Sequence, residues 1–235
     1  MKTIFFPEHT RWKSELSWLR SHFSFSFADY YDPARMNFWA LRVLNDDWIA
    51  AGKGFGMHPH ANMEIITIPL KGSISHQDSM GNAGIVSVGE VQSMSAGSGV
   101  YHSEMNHDPF IACELFQIWI HTRENGITPQ YSQAAYTLKS GEWILLSGPV
   151  AQDRVAYINQ DAYISRRVAK AGEQFEYSLK KTDNIVYIIN ITGSFKIWNE
   201  ALEARDALWI EEIRGEIHFE AQKDSDILLI EVPQA

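Results

Sequence analysis

The sequence predicts an all-β chain built from antiparallel jelly-roll or sandwich sheets, and three observations predict it. Between residues 52 and 120, short apolar runs are cut repeatedly by glycine-containing turns. No stretch of the chain sustains the 3.6-residue apolar period of a long helix. After residue 149 the same alternation of strand and turn resumes, as in a degenerate repeat.

Taken in order, Trp12, Leu16 and Leu19 stand at i, i+4 and i+7, the spacing of a short amphipathic helix or of nothing regular. Phe23-Ser24-Phe25-Ser26-Phe27 alternates with period two and reads as a half-buried strand. Tyr30-Tyr31-Asp32-Pro33 is a turn, and 38–44 is a second strand closed by Asn45-Asp46-Asp47. Further strands follow at 64–70, 73–77, 83–88, 91–95, 100–104 and 113–121. Asp78-Ser79-Met80-Gly81-Asn82 has the polar, left-handed-tolerant residues of a five-residue hairpin loop. Residues 126–148 form a less periodic connector, with Trp143-Ile144-Leu145-Leu146 too apolar for a free linker. The boundaries drawn are 1–125, 126–148 and 149–235. In the last part Phe175, Tyr177 and Leu179 alternate, 185–191 is a continuous apolar strand, and 207–210, 216–219 and 227–232 complete the set.

The 235 residues are enough for a core without disulfides, and the single cysteine, Cys113, sits in an apolar run as a small buried hydrophobe. With 20 Lys+Arg against 29 Asp+Glu the net charge is -9, which disfavours a phosphate backbone as partner. The N-terminal apolar run is short and broken by Pro7 and Glu8, and no run of 18 apolar residues occurs. A cytoplasmic protein with no membrane partner, and a monomer, is expected.

Two stretches carry the chemistry. In Gly54-Phe55-Gly56-Met57-His58-Pro59-His60 the two histidines are one residue apart, so in an extended segment both imidazoles face one way. His102 and Glu104 repeat that spacing after Gly97-Ser98-Gly99. Three imidazoles and a carboxylate suit a divalent transition metal. Glu64, four residues past His60, is a competing carboxylate. Of the nine histidines, six fall between His58 and His121. His9, His22, His107 and His121 read as solvated or core-satisfied, and His76 beside Asp78 as a surface pair. Aligning Gly72 with Gly193 puts Leu179 where His58 stands and Lys181 where His60 stands, so the second half is expected to lack the metal.

The H-x-H…E…G and G…H spacing resembles the cupin superfamily. More specifically, Phe25-Ser26-Phe27-Ala28-Asp29-Tyr30-Tyr31-Asp32-Pro33, the stretches 54–64, 76–82 and 94–104, and Glu124-Asn125-Gly126-Ile127-Thr128-Pro129 resemble the pirin family, especially the bacterial pirin-like quercetinases. The resemblance implies a bicupin with one metal in the N-terminal domain, held by His58, His60, His102 and Glu104, with Glu64 outside the ligand set. It implies Fe2+ first, with Mn, Ni, Co, Cu or Zn open, and a quercetin 2,3-dioxygenase-like oxidoreductase. Such an enzyme takes a flavonol and O2, opens the central ring, and releases carbon monoxide, with Glu104 as base. Two other classes stay open: a non-enzymatic, metal- and redox-dependent regulator, and a cupin acting on another small enolisable metabolite.

Overall fold

The computed structural model describes residues 2–150 and 152–234. Among them the helical content is two single 3-10 turns, Glu8–Thr10 and Pro33–Arg35, and everything else regular is strand. The strands fall into two compact units, each pairing a large sheet with a four-stranded one, which is the bicupin arrangement.

The first unit comprises Trp12–Tyr136 and Ser147–Gln160. Its seven-stranded sheet runs in the order Gln130–Ala135, Glu90–Ser95, Met63–Lys71, Cys113–His121, Leu41–Ile49, Leu19–Phe23, Trp12–Glu15. Its four-stranded sheet runs Gly54–His60, Val100–Asn106, Ser73–Asp78, Ala83–Ser87. The central strands of this sheet are buried in continuous runs, so side chains pointing to either face are covered: Leu41, Val43, Leu44 and Ile49 are buried on one strand, and Leu115, Phe116 and Ile118 on its neighbour. The segment 147–160 is tied in by Ser147, whose hydroxyl meets that of Ser93 at 2.9 Å. The hairpin 78–82 has the expected turn chemistry: the Asp78 carboxylate accepts from the Met80 and Asn82 amides, and Gly81 takes φ +93°.

The second unit comprises the residues up to Arg11, Thr137–Leu146, and the chain from Asp161 onward. Its large sheet runs Lys2–Phe6, Ala207–Glu211, Ile185–Thr192, Ser225–Val232, Tyr163–Ala169 and, of the strand Ile144–Gly148, the residues 144–146 that belong to this unit. Its small sheet runs Gln174–Tyr177, Ile217–Ala221, Ser194–Ile197, Glu200–Glu203, the same order of connections as in the first unit.

Three expectations are corrected. Residues 10–21 form no helix; Trp12–Glu15 and Leu19–Phe23 pair as an antiparallel hairpin, with Trp12 and Leu16 exposed rather than sharing a buried face. The expected strand 23–27 ends at Phe23, because the Ser24 amide bonds the Leu44 carbonyl, the Ser26 amide bonds the Arg35 carbonyl, and both serines are buried with the phenylalanines. Asn45-Asp46-Asp47 closes nothing, since the strand continues through it to Ile49. The compact units are themselves discontinuous in sequence. Lys2–Phe6 pairs with Ala207–Glu211, and 137–146 and 147–160 belong to different units. Long-range pairing of this kind leaves no local signature in the sequence.

Candidate metal centre

The site is assembled on the small sheet of the first unit. The strand Gly54–His60 pairs with Val100–Asn106 so that His58 lies opposite His102 and Val100 opposite His60. A bulge between His102 and Glu104 re-aims the carboxylate, and Glu104 falls opposite His76 on the other neighbouring strand. Gly54 is required here by close approach: a Cβ at that position would lie 2.2 Å from the Glu104 carbonyl oxygen.

Three imidazoles converge. The ring centroids of His58 and His60 are 4.8 Å apart, those of His58 and His102 4.4 Å, and those of His60 and His102 4.8 Å. Their nearest ring nitrogens all lie within 4.8 Å of one another. His58 Nδ1 donates to the Gly56 carbonyl at 2.7 Å, which leaves Nε2 with its lone pair for the site. His60 Nε2 and both ring nitrogens of His102 are buried without a hydrogen-bond partner. An unpaired buried polar group costs about 1–3 kcal/mol, so this donor set fits a cation that would satisfy it. Burial, then the neighbouring imidazoles, holds His60 down at about 4; burial with His58 and His76 holds His102 at about 3. These two rings are therefore neutral at pH 7, the state in which imidazole binds metal.

Glu104 is buried and fixed at both oxygens. Oε1 accepts from Thr67 Oγ1 at 2.7 Å, and Oε2 accepts from Gln117 Nε2 at 2.6 Å. It shares a second group of mutually close ligand atoms with His102 and His76. His76 is not a surface residue: it is 2 % exposed, its Nε2 lies 3.2 Å from Asp78 Oδ2, and its ring packs on Tyr131 with centroids 4.9 Å apart. Asp78 stays below the usual carboxylate range because hydrogen bonds from Asn82, His76 and the Met80 amide outweigh the effect of burial. Glu64 is taken up elsewhere: Oε2 accepts from Ser95 Oγ at 2.5 Å and from the Asn159 amide at 3.0 Å, and burial raises its pKa.

The imidazoles open on a cavity of about 410 Å³ whose walls include Trp18, Phe27, Phe55 and Trp119. Phe27 meets Trp119 edge-on at 5.2 Å and Trp119 meets His60 at 4.8 Å. Thr67 and Gln117, which hold Glu104, were not singled out in the sequence; the available signal is a polar residue at an inward position of an apolar strand. Of the other histidines, His107 Nδ1 lies 3.0 Å from Ser75 Oγ, and Cys113 is fully buried as expected.

In the second unit the ladder register replaces the sequence alignment. Phe195 pairs with Ala221, Ile197 with Phe219, Phe219 with Phe175, and Ile217 with Tyr177. Counting from Gly72 and Gly193 along these ladders puts Tyr177 at the place of His58, Leu179 at that of His60, Ile217 at that of His102 and Phe219 at that of Glu104. Leu179 and Lys181 are thus two residues out of register, because pairing and not loop length fixes the equivalence. Tyr177, Ile217 and Phe219 belong to the apolar core of that unit, with Leu179 packed against it.

Comparison with known proteins adds the following. The family model described as Pirin matches residues 7–120, and that described as Quercetinase C-terminal cupin domain matches 145–232. A protein of Escherichia coli (strain K12) named quercetin 2,3-dioxygenase is 43% identical over 218 residues, 92% of each chain. A pirin-like protein of Caulobacter vibrioides is 40% identical over 217 residues, 91% of this chain and 92% of the other. The crystal structure of the bacterial pirin YhhW from Escherichia coli in complex with nickel(II) superposes with TM-score 0.93 at 39% identity, covering 100% of both chains.

Proposed function

Since the chain belongs to the pirin family of the cupin superfamily, we propose that it is a metal-dependent dioxygenase that cleaves the central ring of a flavonol such as quercetin with O2 and releases carbon monoxide. The observation that carries this reading is the cluster of unpartnered, buried imidazole nitrogens at the wall of an aromatic cavity. Support also comes from relatives named quercetin 2,3-dioxygenase and from the nickel-bearing relative.

In this reading His58, His60, His102 and Glu104 hold one divalent metal, with Fe2+ named first. A metal held by these residues would supply Lewis-acid and redox chemistry toward a substrate oxyanion and O2. The residues themselves do the rest. The aromatic walls take a flat ring system and keep bulk water off it. Glu104 accepts the proton of the substrate's enolic hydroxyl, and Thr67 and Gln117 hold its carboxylate in place for that transfer.

The test is an aerobic assay of protein reconstituted with one Fe2+ per chain, following quercetin absorbance and carbon monoxide release. Loss of the flavonol with matching release of carbon monoxide is expected. Metal-loaded protein that leaves quercetin and related flavonols untouched overturns the reading.

A further inference from the structure

The inward face of the large sheet in the first unit carries a row of polar side chains where a core would ordinarily be apolar. By ladder register Gln92 lies beside Thr67, Thr67 beside Gln117, and Gln117 beside Asn45. Two residues along the same strand, and so on the same face, stands Asp47, beside Ser21. The row separates two apolar clusters, one around Ile49 and Leu115 and one around Ile65 and Met94. Thr67 and Gln117 have an assigned task, since both hold Glu104. Asn45 and Asp47 do not.

Both line the 410 Å³ cavity, and both are buried, at 3 % and 4 % exposure. The Asn45 carbonyl oxygen has no hydrogen-bond partner, and Trp119 Nε1, in the same wall, has none either. Asp47 takes a hydrogen bond from the Ser21 hydroxyl. A carboxyl so far from solvent, with one neutral donor, is costly for the fold alone, and so is an unpaired amide oxygen. Side chains kept at such a cost inside a ligand-sized cavity have the chemistry of recognition, in which a few placed polar groups orient a ligand held by apolar walls.

We propose that Asn45 and Asp47 are the hydroxyl-reading wall of this cavity, so that its occupant is a flat aromatic molecule whose ring hydroxyls, other than the one presented to the metal, donate to these two side chains. The proposal rests on the flavonol reading for the identity of the occupant and deepens it: unsubstituted ring systems are poor ligands and polyhydroxylated ones good ligands. Burial raises the Asp47 carboxyl to about 7, in keeping with a group that shares protons with a bound hydroxyl.

The experiment is calorimetric binding under argon to nickel(II)-loaded protein, with quercetin, 3-hydroxyflavone and catechol as probes. Wild type is expected to bind quercetin at least about 10-fold more tightly than 3-hydroxyflavone, which keeps the ring skeleton and lacks the outer hydroxyls. Asn45→Leu and Asp47→Asn are each expected to weaken quercetin about 10-fold and to leave 3-hydroxyflavone within about twofold. Equal wild-type affinity for the two flavonols, a comparison that needs no variant, overturns the proposal, as does unchanged quercetin affinity in both variants. If wild type binds neither flavonol yet binds catechol, and both variants lose it, the flavonol reading fails while the hydroxyl-reading role stands. If catechol is not bound either, both fail.

Discussion

Both oxygens of Glu104 accept hydrogen bonds, from Thr67 and Gln117, so its carboxylate is held in one orientation whether it ligates, takes a proton, or does both. Glu104→Gln separates the two roles. The amide keeps size and one oxygen donor but cannot take the hydroxyl proton. With metal occupancy restored by excess ion and checked by elemental analysis, turnover is expected to stay about 100-fold or more below wild type, the range of general-base loss. Recovery of most of the rate on adding metal assigns Glu104 to ligation alone. Asp47 gives a second prediction at this scale. Its carboxyl, raised to about 7 by burial despite the Ser21 hydrogen bond, binds a proton in the folded chain that the unfolded chain releases near pH 4. The folded state therefore binds more protons between about pH 4 and 7, and this residue's contribution is present below that window and lost as pH rises through it. The melting temperature of Asp47→Asn minus that of wild type is expected to increase from pH 5 to pH 7 and then level off. A difference that is flat or falls with pH contradicts the assignment.

At the scale of elements, the strands from 63 to 121 were legible because their short apolar runs and their glycine turns are local. The strands of the proposed ligands were legible for the same reason: an x-skip-x pair faces one way on any strand. What was not legible is cross-strand. Trp12, Leu16 and Leu19 match a helical spacing by coincidence, and it is pairing with Trp12–Glu15 on one side and Leu41–Ile49 on the other that makes Leu19–Phe23 a strand. The row Gln92, Thr67, Gln117, Asn45 comes from four strands and exists only once their register is set. His76 looked like a surface pair because its burial depends on Tyr131 and on the strand carrying Glu104. Two glycines bring element geometry to bear on the site. Gly54→Ala puts a Cβ 2.2 Å from the Glu104 backbone oxygen and must displace that ladder, so metal affinity is expected to fall about 10- to 100-fold. Gly97, at φ +46°, has no room either: a Cβ would lie 2.1 Å from the Ile127 carbonyl oxygen. Gly97→Ala is expected to lower stability by about 1–3 kcal/mol in denaturant unfolding. Wild-type midpoints for both variants contradict the geometry.

Over the whole molecule, two units share one order of connections; the first holds a partly buried cluster of imidazoles, whereas the grouped Glu176, Glu216 and His218 of the second are exposed. Tyr177, Leu179, Ile217 and Phe219 stand in the second unit where His58, His60, His102 and Glu104 stand in the first, and apolar packing rather than ligation is what such side chains supply. Elemental analysis after dialysis is therefore expected to give one tightly held divalent ion per chain, and two contradicts the register. The central claim, the identity of the ligand set, is tested most directly by anomalous diffraction at the metal edge from crystals of metal-loaded protein. One anomalous peak is expected, with His58, His60, His102 and Glu104 at about 2.0–2.3 Å from it. A peak bound by Glu64 or His76, with Glu104 still turned to Thr67 and Gln117 and away from the ion, contradicts the claim.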